Sequence, residues 1–312
     1  MAALPVAALF ALAAPGSNRA HPSTAALLPT GVAPHSWYRK AALYGMHWHE
    51  PPPTVVSAAC GDAEYAAAAR ELGERLDNAS SKAVSLVILY QSDEDLAHLK
   101  AKGPVNGTRV SVQYLQTSAA SLDPDMGWQE AERFKCCNLK LHLPTILPDV
   151  DGVAIWVDLD TRVFGDVVEL HRWFRREQKQ AGAKKPWAAL SWESADSYDV
   201  NWYRLSRDRR SLEFYEPNGL NSGVIVADMA AWRNSEAPDQ LSIAWDYEMP
   251  DQDALNVYFQ HHRDEMLQLP FEWNWRGTRI SGGVPAEKAQ IEHFAGCGIS
   301  RDSTTCSDHE RR

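Results

Sequence analysis

Residues 153–164, Val-Ala-Ile-Trp-Val-Asp-Leu-Asp-Thr-Arg-Val-Phe, constrain the fold more than any other stretch of this chain. An uninterrupted apolar run rich in β-branched and aromatic residues is the pattern of a strand buried on both faces. Two carboxylates, Asp158 and Asp160, stand where the run stops. Alternation along a strand sends both the same way and turns Leu159 to the other face. Paired hard oxygen donors suit a divalent cation that also holds a diphosphate. Open α/β sheets bind ligands outside the carboxyl ends of their strands, where this pair sits.

Asp-x-Asp alone says little, because the chain repeats it at Asp93/Asp95, Asp123/Asp125, Asp149/Asp151 and Asp251/Asp253. Only the 158/160 pair closes an apolar run. The first three of the others have polar or Pro-containing neighbours and are expected to be solvated loop or helix-cap carboxylates.

Around this strand the chain alternates. Strands are expected over 55–60, 83–90, 109–115 and 153–157, and further ones over 187–192 and 223–227. Helices are expected over 63–76 with Asp62 as N-cap, over 93–101, 130–146 and 251–259. This order is the pattern of a doubly wound parallel sheet. No Gly-x-Gly-x-x-Gly follows the first strand, which disfavours a dinucleotide fold, and the phosphate-loop, Gly-x-Ser-x-Gly and His-Glu-x-x-His signatures are missing. A net charge of −10 argues against a general nucleic-acid binder.

Residues 1–53 read as a signal-like leader, with an apolar run over 1–14 too short for a membrane span, and a poorly ordered Pro- and Ala-rich stem. No Lys or Arg precedes that run, which is atypical of a signal peptide. Sequons at Asn78 and Asn106 fit a secretory compartment, Golgi or endoplasmic reticulum lumen. Cys297 and Cys306 are close enough to bridge a short loop, and Cys136 and Cys137 are expected to be buried free thiols.

Several blocks occur in a fixed order. Phe134-Lys-Cys-Cys-Asn-Leu-Lys140-Leu-His-Leu-Pro144 precedes Trp156-Val-Asp-Leu-Asp160, and Asn201-Trp-Tyr-Arg204 stands before Gly219-Leu-Asn-Ser-Gly-Val224 with Ala231-Trp-Arg233. Asp251-Gln-Asp-Ala-Leu-Asn256, Leu269-Pro-Phe-Glu-Trp-Asn-Trp-Arg276 and Ile291-Glu-His-Phe-Ala-Gly296 follow. Together, over 55–296, they resemble glycosyltransferase family 8, and within it the glucoside and xyloside xylosyltransferases.

That resemblance implies an α/β fold of GT-A type, a Rossmann-like mixed sheet flanked by helices, as a single catalytic domain over 54–299 with a tail over 300–312. It implies a retaining, metal-dependent transfer of a sugar, best xylose, from a UDP-sugar to a glycan, glycoprotein or small glycoside hydroxyl. Mn2+ or another divalent cation would be held by Asp158, Asp160 and His293. Ala59, Cys60 and Asp62 match where the family holds the uridine, and Leu159 lies between the metal carboxylates. Lys140 matches a basic position facing the diphosphate. Asn221, Ser222 and Gly223 match the turn around the sugar, and Asp251 and Gln252 match residues beside the reacting carbon. Where the family often carries a Lys soon after the His, this chain reads Cys297-Gly-Ile-Ser300-Arg301. A catalytically weak or inactive glycan-binding protein of the same fold is the alternative.

Overall fold

The computed structural model describes residues 52–61, 63–105, 107–117, 136–182, 186–196, 214–241 and 250–294. The expected leader, Asp62, Asn106, the Asp123/Asp125 pair, the Asn201 block, Cys297, Cys306 and the tail lie outside them.

The first half follows the expected alternation. Strand β1 (Thr54–Ala58) leads to α1 (Ala63–Ala79), β2 (Val84–Tyr90), α2 (Asp93–Ala101) and β3 (Val110–Gln116). The start of α2 is fixed by a capping box: the Ser92 hydroxyl accepts from Asp95 N–H, and the Asp95 carboxylate accepts from Ser92 N–H. The same carboxylate accepts from Gly61 N–H at 2.9 Å, tying the end of β1 to the start of α2. Asp93/Asp95 is thus a helix-start pair, as expected.

Next come a 3-10 segment (Cys137–His142), α3 (Leu143–Ile146), β4 (Val153–Val157), β5 (Thr161–Val163), α4 (Val167–Gln180) and β6 (Ala188–Trp192). They are followed by β7 (Leu220–Asp228), α5 (Met229–Arg233), α6 (Ala237–Leu241), α7 (Pro250–His261), β8 (Met266–Gln268) and β9 (Ile291–His293). The single helix expected to run to residue 146 is instead a 3-10 segment and a short helix. Asn138, Leu139, Lys140 and Leu141 are buried in succession, which a one-faced helix does not allow, and Pro144 lacks the amide to continue the ladder.

Seven strands form one sheet in the order β3-β2-β1-β4-β7-β6-β8. The parallel sheet read from the alternation is corrected, and the mixed sheet implied by the resemblance is borne out: β7 runs antiparallel to both β4 and β6, while the other pairings are parallel. The sheet is therefore mixed. A buried strand reads the same in either direction, so its apolar pattern carries no information on polarity. The reversal has a consequence for the site. It brings the N-terminal residues of β7 to the carboxyl end of β4, where Val157 pairs with Val224 and Asp158 N–H donates to Gly223 O at 2.9 Å.

Both faces are covered. Leu72, Leu76, Val167, Leu170 and Phe174 from α1 and α4 pack on one. Leu139, Trp232, Leu255 and Phe259 pack on the other, where Trp187 stacks on Trp232 at 4.5 Å. Burying such side chains contributes about 1.5–3 kcal/mol each. A second, two-stranded sheet pairs β5 with β9 and sets Thr161 opposite His293.

Cys136 is corrected too. It is not a free thiol but bridges to Cys60 across 76 residues, joining the end of β1 to the segment before Lys140, while Cys137 stays free. Strands β1 and β4 are sheet neighbours, which spacing along the chain does not reveal.

Candidate functional site

Three elements meet at the carboxyl end of β4. The strand ends in Asp158, and the turn after it carries Leu159 and Asp160 into β5. The β5–β9 pairing then lays His293 next to Asp160, with Nε2 of the ring 3.4 Å from the carboxylate. Asp158, Asp160 and His293 each offer a ligand atom, and these lie within 4.8 Å of one another. Two hard carboxylate oxygens with an imidazole are a donor set that fits Mn2+. The ring's other nitrogen, Nδ1, lies 2.9 Å from Asn274 Oδ1, the second contact that ligating histidines usually make.

Gly223 makes that approach possible. A Cβ built there would stand 2.0 Å from the His293 ring. The sequence points to a ligand approaching the glycine of the Asn-Ser-Gly turn; what approaches it most closely here is the imidazole.

Behind the carboxylates lies Lys140, a buried ammonium. Its Nζ is 3.0 and 3.2 Å from the two oxygens of Asp158, 2.9 Å from Asp251 Oδ2, and donates to Ser222 O at 3.1 Å. Burial alone would pull its pKa down, but the two carboxylates outweigh that and hold it above the ordinary lysine range. Burial pushes Asp251 up, yet Lys140 and the Ser222 hydroxyl, which donates at 2.7 Å, bring it below the usual carboxylate value. Asp158 is raised, chiefly by burial and only partly offset by Lys140. Burial pushes Asp160 up, but His293 and Lys140 together with a backbone hydrogen bond bring its pKa below the usual carboxylate value.

Helix α7 supplies Asp251 and Gln252 in its first turn. The Gln252 amide donates to Glu193 Oε2 at 3.0 Å and accepts from Asn221 Nδ2 and Ser222 N–H at 3.3 and 3.4 Å. Glu193 pairs with Arg276 at 2.8 Å. Asp158, Asp160, His293, Lys140, Asn221, Ser222, Gly223, Asp251 and Gln252 are therefore brought together.

The end of β1 borders the same place. Ser57, Ala58, Tyr65, Cys136, Trp156 and Leu159 line a cavity that opens onto Asp158 and Asp160. Ala59 is buried in the β1–β2 ladder, and the sulfur of Cys60 is engaged in the disulfide. Asp62 lies outside the described residues.

Sequence reasoning missed Tyr65, Glu193 and the hydrogen-bonding role of Asn274. An aromatic in the first turn after a ligand-facing strand end was a usable signal for Tyr65. Glu193 and Asn274 act through partners 28 or more and 19 or more residues away, so no local pattern marks them.

A family model described as Glycosyl transferase family 8 matches residues 58–298. Glucoside xylosyltransferase 1 of Homo sapiens is 26% identical over 251 residues, 70% of this chain and 53% of that protein. Glucoside xylosyltransferase 2 of Mus musculus is 28% identical over 176 residues, 50% of this chain and 37% of that protein. The chain thus spans about half, or less, of the length of these curated relatives. Among solved structures, the apo form of mouse xyloside xylosyltransferase 1 matches with a TM-score of 0.55 at 14% identity, over 80% of this chain and 99% of that one. The galactosyltransferase LgtC, in complex with donor and acceptor sugar analogues, matches with a TM-score of 0.56 at 16% identity, over 78% and 87%. At such identities the structural likeness shows the fold.

Proposed function

Because the chain belongs to glycosyltransferase family 8, we propose that it moves a sugar, xylose for preference, from a UDP-sugar to a hydroxyl of a glycan, glycoprotein or small glycoside, retaining the anomeric configuration. Residues 54–299 form the catalytic domain in this reading, after a leader and stem over 1–53 and before a tail over 300–312. The convergence of Asp158, Asp160 and His293, with both carboxylates lining the cavity, carries it.

Asp158, Asp160 and His293 hold the cation, Mn2+ or another divalent ion. When bound, it offsets the negative charge that builds on the departing diphosphate. The β1 end, with Ala59, Cys60 and Asp62, receives the uridine, and the Tyr65 ring offers a stacking face beside it. Lys140 works from behind: its hydrogen bonds go to Asp158, Asp251 and Ser222, so it fixes the two carboxylates and cancels part of their mutual repulsion. Asn221, Ser222 and Gly223 border the sugar.

Asp251, ionised and held by Lys140 and Ser222, faces positive charge developing at the anomeric carbon and stabilises it. Gln252 is pinned on both sides of its amide and positions the sugar. The departing phosphate oxygen takes the acceptor's proton on the face that UDP leaves. The Cys60–Cys136 bridge supports a secretory setting, since disulfides persist in oxidising compartments. Among the described residues, no helix is long and apolar enough to cross a membrane.

The test is UDP release from a panel of UDP-sugars with Mn2+, beside EDTA and Asp158→Ala/Asp160→Ala controls. Release from one donor, abolished by both controls, is expected. Folded protein that releases UDP from no donor would favour the non-catalytic glycan-binding alternative.

A further inference from the structure

We propose that Asn274 is a positioning residue: at the end of a hydrogen-bond chain anchored by the Glu193–Arg276 ion pair, it keeps Nδ1 of His293 protonated and leaves Nε2 bare toward Asp160. The proposal rests on the cation reading above, because only a bare Nε2 can ligate.

An imidazole cannot set its own tautomer; its partners do. Here the partners form a chain with a direction. Glu193 receives Arg276 Nη1 at 2.8 Å on one oxygen and Asn221 Nδ2 at 3.0 Å on the other. A carboxylate facing a guanidinium only accepts, so Asn221 must present its NH2 to Glu193 and its oxygen away from it. That oxygen accepts from Gly223 N–H at 3.0 Å and from Asn274 Nδ2 at 2.8 Å. The Gly223 amide is a backbone donor and cannot be reversed, so it enforces the same orientation of Asn221. With its NH2 spent on Asn221, Asn274 is left with its oxygen toward His293, 2.9 Å from Nδ1. An oxygen there accepts, and Nδ1 must carry the proton.

Every link is buried: Glu193, Asn221, Asn274, Arg276 and His293 are all under 9% exposed, so water is a poor substitute for any of them. Trp275 N–H donates to Ile291 O, and His293 N–H to Trp275 O, so the backbone around Asn274 is laced to β9 and its side chain faces the ring. The chain branches at Glu193, whose second oxygen also receives Gln252 Nε2. One ion pair therefore orients both the imidazole at the cation site and the amide beside the sugar.

The experiment uses the full chain labelled with 15N-histidine, without metal and at pH about 9, where a free imidazole is neutral. Ring-nitrogen shifts read the tautomer, and His293→Gln assigns the signals. Wild type is expected to show His293 with Nδ1–H. Asn274→Leu is expected to shift it to Nε2–H, donating to Asp160, and to weaken Mn2+ binding, followed by calorimetry, by about tenfold or more. Glu193→Gln is expected to move both readouts the same way but less, because the Gly223 amide still orients Asn221. Retention of Nδ1–H in Asn274→Leu, or Mn2+ affinity within about twofold of wild type, overturns the proposal. Should Asn274→Leu not fold, Glu193→Gln decides, and an unchanged tautomer with unchanged affinity overturns it. Wild type that binds no Mn2+ overturns the cation reading instead, while the tautomers still decide the chain.

Discussion

At the residue scale the site is a balance of buried charges. Lys140 sits between Asp158 and Asp251, and removing its ammonium leaves two carboxylates buried without their partner. Lys140→Met is expected to destabilise the fold by about 3–5 kcal/mol, read from urea denaturation, and to lower turnover sharply. A variant of near wild-type stability would mean that the carboxylates relax to water. Gly223→Ala tests a different force. Its new methyl would overlap the His293 ring, so the ring must move. The expected cost is roughly 1–3 kcal/mol of stability, with a larger relative loss of Mn2+ affinity, both measurable on one preparation. Asp251→Asn asks whether that carboxylate touches the chemistry; near wild-type turnover would exclude both nucleophilic and charge-stabilising roles. The carboxylate pair was legible in the sequence because two charges closing a buried strand need a cation, bound or built in, to offset them. The part of Lys140 was only half legible: its type fitted a phosphate contact, but burial turns it toward protein carboxylates. Asn274 and Glu193 were not legible, since their roles exist only once strands distant in sequence lie side by side.

At the scale of elements, polarity decided what pattern could not. Apolar runs located β1, β2, β4, β6 and β7 to within a few residues, yet nothing in them foretold that β7 would run backwards. Its reversal is what delivers Asn221, Ser222 and Gly223 to Asp158. The three-residue strands β8 and β9 carry too few residues for any periodicity, and β9 nonetheless brings His293. The far end of β7 is held by Asp228, which caps α5 by accepting from Ala231 N–H at 3.0 Å and receives Arg175 and Gln178 of α4. Burial pushes its carboxyl up, but the Ala231 amide and Arg175 outweigh that and hold it below the usual range. A carboxyl lowered in the folded state adds stability above its unfolded pKa, about 3.9, and loses it as pH falls through the folded value. Asp228→Ala should therefore cost about 1–2 kcal/mol at neutral pH. The difference from wild type should shrink as the pH falls below about 4, and melting curves across that range check it. A gap that stays constant into acid would assign the cost to packing instead.

At the scale of the whole molecule, a seven-stranded mixed sheet with helices on both faces, together with the two-stranded β5–β9 sheet, gathers the candidate site from strands, turns and a helix start spread from Ala59 to His293. The layered architecture was legible because alternation of strands and helices leaves few ways to cover a sheet. The link between Cys60 and Cys136 was not, and it bears on how the protein should be produced. Closing a loop of 76 residues removes chain entropy worth about 4–5 kcal/mol in the unfolded state. A bacterial cytosol would yield material lacking that cross-link, and thiol reagents kept in storage buffers would slowly strip it from correctly oxidised batches. Purified from an oxidising host and from a reducing one, the same polypeptide should therefore behave as two reagents. The reduced batch should melt earlier and hold UDP more weakly, because the wall of the cavity that contains Cys136 loses its tether to β1. Matching affinities in the two batches would show that the wall keeps its shape unaided.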